Sequence, residues 1–191
     1  MLSERVVRSW LGHFSMRLNY SLQNVPLILV TDGSVDTQSK IGFGAYLLVS
    51  EGEALPDASI PLVQTKRFEH TSSTKLELQT LLWALKSFSK SNLQVHIYTD
   101  SQNIIGLPDR RERFEENHFR SKSGKPIRNE QLYRSFFETI DMLDCRFFKV
   151  RGHQPQAGKN EIDRLFTIVD RASRNALRQH RSLIQTPEKS D

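Results

Sequence analysis

The sequence is poor in cysteine, and this scarcity narrows the possible classes of protein. Its 191 residues include one cysteine, Cys145, so an intrachain disulfide is excluded and a reducing compartment, the cytoplasm, is expected. Cys145 lies in the apolar run MLDCRFFKV, where a buried hydrophobic residue is expected rather than a nucleophile. The sequence also lacks a cluster of cysteine and histidine with the spacing of a structural zinc site.

Long apolar runs are also missing. No run approaches the roughly 20 residues that a membrane-spanning helix needs, so we expect no membrane association. Hydrophobic residues make up 37% of the chain and charged residues 26%, which is typical of one globular domain with a substantial core. The net charge of +5 is compatible with a polyanionic partner but does not establish one.

The chain divides into three predicted parts. Residues 1–26 form an N-terminal extension in which apolar residues recur at helical spacing, without the continuous apolar core of a secretory signal. We expect this helix to pack on the domain's own surface; the alternative is that it binds a protein partner. Residues 27–178 form the main domain, and 179–191 a flexible tail. A monomer is expected.

The main domain is predicted to have an α/β fold. Three strand patterns come first, LILVT, IGFGAYLLVS and IPLVQTKRFEH, and short turn-rich connections make them an antiparallel meander. A helix over TKLELQTLLWALKSFSK leads to the strand LQVHIYT, and further helices lead to the strand CRFFKV and a last helix. Strands reached through helices lie parallel to the first strand, so the prediction is a five-stranded mixed sheet flanked by helices.

Carboxylates follow the two strands that this topology places side by side. Asp32 follows LILVT and Asp100 follows HIYT. Asp-Gly-Ser after a strand is also good turn chemistry, so Asp32 alone proves nothing. The carboxyl ends of parallel strands nevertheless meet at one edge of the sheet, where ligands bind in open α/β folds. Glu77, near the start of its helix, and Asp163, at the start of the last helix, are placed to join them.

Gathered carboxylates repel one another, and a divalent cation relieves that repulsion. Mg²⁺ suits one or two carboxylates together with a substrate phosphate. Two such ions about 4 Å apart activate a water and stabilise the leaving oxygen of a phosphodiester. The pattern therefore favours a metal-dependent nuclease.

Five segments in order resemble the signature segments of type 1 ribonuclease H. They are TDGS, TKLELQTLLWAL, YTDSQNII, KSGKPIRNEQLYR and VRGHQPQAGKNEIDRL, and the resemblance runs from about residue 27 to 178. It implies an endonuclease that hydrolyses the RNA strand of an RNA–DNA hybrid with two Mg²⁺ or Mn²⁺ ions. It also implies that Asp32, Glu77, Asp100 and Asp163 bind the metal, and that His153 is a catalytic loop histidine that shuttles a proton or helps to release product.

The fourth carboxylate departs from the family pattern. The family has Asn-Glu, two further residues and then the aspartate, whereas KNEID places the aspartate one residue early. Asp163 is the choice because DRLF resembles the family's helix opening. Asp170, two turns further along, is the alternative, and Glu161 is first of all a helix-start residue.

The resemblance also implies substrate contacts. Ser73 and Thr74 stand where the family has longer polar residues that read the 2′-hydroxyl. Ser72 and Asn129 match positions that grip a DNA phosphate, although both are also good helix caps. Of the charged segment 108–128, the second half is purely basic and is the better phosphate contact, with Lys122, Lys125 and Arg128 as the candidates. Arg164, Arg171 and Arg178 on the last helix are interpreted as a solvated stripe.

Two alternatives share the fold. One is a DNA-directed nuclease or recombinase of the same superfamily, since fold does not determine function. The other is a ribonuclease H-like module that binds nucleic acid without cleaving it. Which strand is cut, if any, discriminates among the three.

Overall fold

Five strands form one mixed sheet in the computed structural model, which describes residues 25–52, 62–87, 94–150 and 160–185. The strands are β1 (Leu27–Asp36), β2 (Ile41–Ser50), β3 (Gln64–Phe68), β4 (Gln94–Thr99) and β5 (Asp144–Lys149). Their spatial order is β3-β2-β1-β4-β5. The first three are antiparallel, and β4 and β5 run parallel to β1. The predicted α/β fold with a mixed sheet is confirmed.

Helices connect the parallel strands and cover the sheet. They are α1 (Ser73–Leu85), α2 (Gln102–Ile105), a 3₁₀ turn (Pro108–Arg110), α3 (Arg111–Glu116), α4 (Glu130–Met142) and α5 (Glu161–Gln185). Within these ranges, none of the helices has the length and apolar character needed to cross a bilayer. The predicted N-terminal helix lies outside the described residues.

Helix α5 continues past residue 178, where we expected the domain to end and a flexible tail to begin. Leu177 is buried, and Arg181 forms an ion pair with Asp36 of β1 at 3.2 Å. Helix α5 continues through Gln185.

The sheet is buried on both faces, since successive residues of β1 point into different cores. Leu29 and Ile97 belong to the core beneath α1 and α4, whereas Val30 and Leu47 belong to the core beneath α5. A strand buried on both faces appears in the sequence as an unbroken apolar run. This accounts for LILV in β1.

The register of β1 places Asp32 beyond the end of its pairing with β4. Parallel pairing of β1 with β4 ends at Val30 and Tyr98, whereas antiparallel pairing with β2 continues to Asp36. The β1–β2 hairpin therefore extends beyond the end of β4. Asp32 lies on this extension, and Asp100 immediately follows β4.

Candidate active site

Three of the predicted carboxylates meet at this edge of the sheet. Burial raises the pKa of Asp32 to about 6, and the negative charges of Asp100 and Asp170 add to the shift. Burial is also the main cause that raises the pKa of Glu77, and Asp100 again adds to it. The charge of Asp100 thus acts on both Asp32 and Glu77. Asp32, Glu77 and Asp100 form one electrostatically coupled group.

A serine hydroxyl holds the Glu77 carboxylate. Ser101 Oγ donates a hydrogen bond to Glu77 Oε2 at 2.5 Å, and it accepts one from the backbone N–H of Ile104 at 3.2 Å. Ser101 is therefore both the N-cap of α2 and the partner of Glu77. We did not assign this role from the sequence, although Ser101 directly follows Asp100.

A second serine holds the Asp32 carboxylate from the opposite face of the sheet. Ser173 of α5 is fully buried, and its Oγ lies 2.9 Å from Asp32 Oδ2. This hydrogen bond lowers the pKa of Asp32 and opposes part of the effect of burial. Ser173 was also missed, although a small polar residue on the apolar face of a predicted helix is a signal worth following.

The two candidates for the fourth carboxylate occupy different environments. Asp163 accepts a hydrogen bond from the backbone N–H of Asn160 at 3.2 Å, at the start of α5. Asp170 lies close enough to Asp32 for its charge to raise that pKa, and it forms an ion pair with Arg174 at 2.8 Å. The two aspartates share one side of α5, but seven residues of helix separate them by about 10 Å. The structure thus brings Asp170, rather than Asp163, to Asp32.

The donor set at this edge suits a hard divalent cation. It consists of carboxylate oxygens, and burial and mutual repulsion raise the pKa values of Asp32 and Glu77. As placed, however, no three histidine, cysteine, aspartate or glutamate side chains in the described ranges form a cluster able to hold a metal ion. In this arrangement Ser173 and Ser101 hydrogen-bond the carboxylates of Asp32 and Glu77. A bound cation therefore requires the carboxylates to approach one another more closely.

The predicted substrate residues on α1 and α4 remain accessible. Ser73 and Thr74 are exposed in the first turn of α1. Ser72 and Asn129 occupy the N-cap positions of α1 and α4, but neither side chain makes the capping hydrogen bond. Asn129 adopts a left-handed conformation with φ of 64°, which asparagine tolerates better than most residues. The capping role expected as their alternative is not formed.

The two halves of the charged segment 108–128 differ in the contacts that their charged side chains make. In the first half, Arg111 pairs with Asp141 of α4 and with Glu115, so this half is fastened to the domain by internal ion pairs. In the second half, the basic side chains are exposed, and they include the three candidate phosphate contacts Lys122, Lys125 and Arg128.

A cation–π contact lies where these two halves meet. Phe119 is buried, and the Arg134 guanidinium lies 3.9 Å from the centre of its ring. The exposed Lys122 and Lys125 thus closely follow a residue that is fixed by packing. His153, the predicted loop histidine, lies outside the described residues.

Comparisons with known proteins agree with the fold. The family model for RNase H matches residues 24–170. A ribonuclease H of Clostridium botulinum is 25% identical over 143 residues, which cover 73% of this chain and 91% of that protein. A ribonuclease H of Rhodopseudomonas palustris is 27% identical over 159 residues, which cover 82% of this chain and 95% of that protein.

Solved structures show the same fold at lower identity. The solution structure of the PFV RNase H domain matches with a TM-score of 0.64 and 17% identity, covering 79% of this chain and 93% of that domain. A foamy viral protease-reverse transcriptase in complex with dsDNA matches with a TM-score of 0.55 and 12% identity, covering 81% of this chain and 97% of that protein.

Proposed function

Because the chain belongs to the ribonuclease H family and is a nuclease of that type, we propose that it hydrolyses the RNA strand of RNA–DNA hybrids with the help of divalent cations. One observation carries this proposal. The charge of Asp100 acts on both Asp32 and Glu77, although the three residues lie far apart in the chain. A fold that gathers carboxylates at a sheet edge is suited to bind cations there.

Asp32, Glu77, Asp100 and Asp170 are the four proposed metal-binding carboxylates. Asp170 replaces Asp163 in this set because its charge reaches Asp32, whereas the Asp163 carboxylate is engaged at the start of α5. Two Mg²⁺ or Mn²⁺ ions bound there supply an activated water and stabilise the departing oxygen. The catalytic role of His153 in moving a proton remains part of the proposal.

The proposed hybrid contacts flank the carboxylates. Ser73 and Thr74 are exposed at the start of the helix that carries Glu77. There we expect their hydroxyls to hydrogen-bond a ribose hydroxyl of the RNA strand. Ser72 and Asn129 offer polar groups that capping does not use. Lys122, Lys125 and Arg128 attract phosphates further away. We further propose that the protein acts as a monomer in the cytoplasm.

Cleavage of end-labelled nucleic acids tests the proposal. The full chain is incubated with an RNA–DNA hybrid, matched RNA and DNA duplexes and single strands, with Mg²⁺, Mn²⁺ or EDTA. We expect the RNA strand of the hybrid alone to be cut, only with a cation, and not by Asp100→Asn. Cutting of DNA would indicate the DNA-directed nuclease. Binding of the hybrid without any cleavage would indicate the non-catalytic module.

A further inference from the structure

Ser173 is a polar residue in the centre of an apolar helix face. It is fully buried on the side of α5 that also buries Leu165, Val169 and Leu177 against the sheet. A buried hydroxyl without a hydrogen bond costs free energy, and alanine at this position would favour the helix more. Packing alone therefore does not explain a serine here.

Its hydroxyl has two acceptors but only one proton. Ser173 Oγ lies 2.9 Å from Asp32 Oδ2 and 3.0 Å from the backbone carbonyl of Asp170. An ionised carboxylate is the stronger acceptor, so the proton goes to Asp32 when that group is charged. The carbonyl is the local acceptor that serine uses inside helices. The hydroxyl consequently keeps a hydrogen-bond acceptor even when the Asp32 carboxylate rotates away from it.

We propose that Ser173 is a positioning residue that orients the Asp32 carboxylate for cation binding. The inference rests on the proposed function. The bond fixes Asp32 on β1 and ties that strand to α5 at a point three residues after Asp170. It thereby sets both the orientation of one carboxylate and its separation from another. Partners that orient metal ligands in this way affect metal affinity strongly.

The experiment is calorimetric titration of the full chain with Mn²⁺ alone. Ser173→Ala is expected to bind Mn²⁺ about 10-fold more weakly than wild type. Ser182→Ala, an exposed serine on the same helix, is the matched control and is expected to bind like wild type. Cleavage of a hybrid by Ser173→Ala should be reduced at limiting Mn²⁺ and restored at saturating Mn²⁺.

Unfolding without cation separates positioning from a structural role. A structural role predicts that Ser173→Ala lowers the thermal midpoint and leaves Mn²⁺ affinity unchanged, and that result would overturn the inference. If Mn²⁺ binding is weakened equally in Ser173→Ala and Ser182→Ala, the inference is also overturned. Ser173→Cys has a side chain of similar size with a weaker hydrogen-bond donor. Its Mn²⁺ affinity is therefore expected to lie between the affinities of wild type and Ser173→Ala. It replaces Ser173→Ala in these measurements if that variant does not fold.

Asp32→Asn distinguishes this inference from the proposed function. If Asp32→Asn loses Mn²⁺ binding while Ser173→Ala retains wild-type affinity, only the role of Ser173 fails. If Asp32→Asn binds Mn²⁺ as tightly as wild type, the carboxylate site itself fails.

Discussion

Asp163 and Asn160 form a reciprocal hydrogen-bonded pair at the start of α5. The Asn160 backbone N–H donates to Asp163 Oδ2 at 3.2 Å, and the Asp163 N–H donates to Asn160 Oδ1 at 2.8 Å. This is the geometry of a capping box, which satisfies backbone donors at a helix N-terminus. An aspartate occupied in this way has a structural role that explains its position in KNEID.

The pair leads to a direct test of the fourth carboxylate. Asp170→Asn is expected to abolish hybrid cleavage, since it removes a charge that acts on Asp32. Asp163→Asn is the matched control, with the same substitution on the same side of α5. It should retain cleavage and lose about 1 kcal/mol of stability through the weakened cap. Cleavage assays and urea unfolding of both variants check this; loss of cleavage in Asp163→Asn alone would restore the original assignment.

The raised pKa of Asp32 makes stability depend on pH. The folded pKa of about 6 exceeds the ordinary value of 3.8, so the folded state holds the proton more tightly between these values. Without divalent cation, the free energy of unfolding should therefore fall by roughly 2 kcal/mol as pH rises from about 4 to 6. Well below pH 3.8 the effect is absent, because both states are protonated.

Asp32→Asn should remove this part of the pH dependence. The variant cannot ionise there, so at pH 7 in EDTA it should be more stable than wild type, and at pH 4 nearly equal to it. Urea unfolding at several pH values measures the difference. Glu77, whose pKa is also raised, stays in both proteins and cancels in the comparison. A constant difference at all pH values would contradict the assignment to Asp32.

Close packing of α1 on β2 predicts a compensating pair of substitutions. A Cβ atom at Gly44 would lie 2.0 Å from Thr80 Oγ1, a buried oxygen without a hydrogen-bond partner. Gly44→Ala should therefore destabilise the protein by roughly 1–3 kcal/mol through overpacking. Thr80→Ala should recover much of that loss in the double variant. Chemical unfolding of the two single variants and the double variant gives the coupling; strictly additive effects would exclude the predicted clash.

The exposed lysines of the second half of segment 108–128 predict a salt effect. Replacing Lys122 and Lys125 by glutamine should weaken hybrid binding and reduce the slope of log affinity against log salt by about 1 to 2. Arg171→Gln with Arg178→Gln removes two exposed charges from α5 and serves as the control, with little change expected. Fluorescence anisotropy at several salt concentrations in Ca²⁺ or EDTA measures both. Equal changes in the two double variants would mean that net charge, rather than location, determines binding.

Local patterns were enough to predict the sheet and the first three carboxylates. The unbroken apolar run before Asp32 marks a strand buried on both faces, and helices between strands require parallel pairing. Parallel neighbours then place Asp32 and Asp100 at one edge. Glu77 lies in the first turn of its predicted helix, from which it could face the two aspartates, and the family resemblance assigned it as a metal ligand. These inferences depend on periodicity and on chain connectivity, both of which the sequence carries directly.

The tertiary structure alone distinguished Asp163 from Asp170 and revealed the two serines. Asp163 and Asp170 are seven residues apart on one side of a helix, so periodicity does not separate them. The choice depends on where α5 crosses the sheet, which is set by packing of its apolar face on β1 and β2. The bonds from Ser101 to Glu77 and from Ser173 to Asp32 join residues 24 and 141 positions apart. The packing of the whole domain decides such contacts. The sequence shows the residues that make them, but not that they meet.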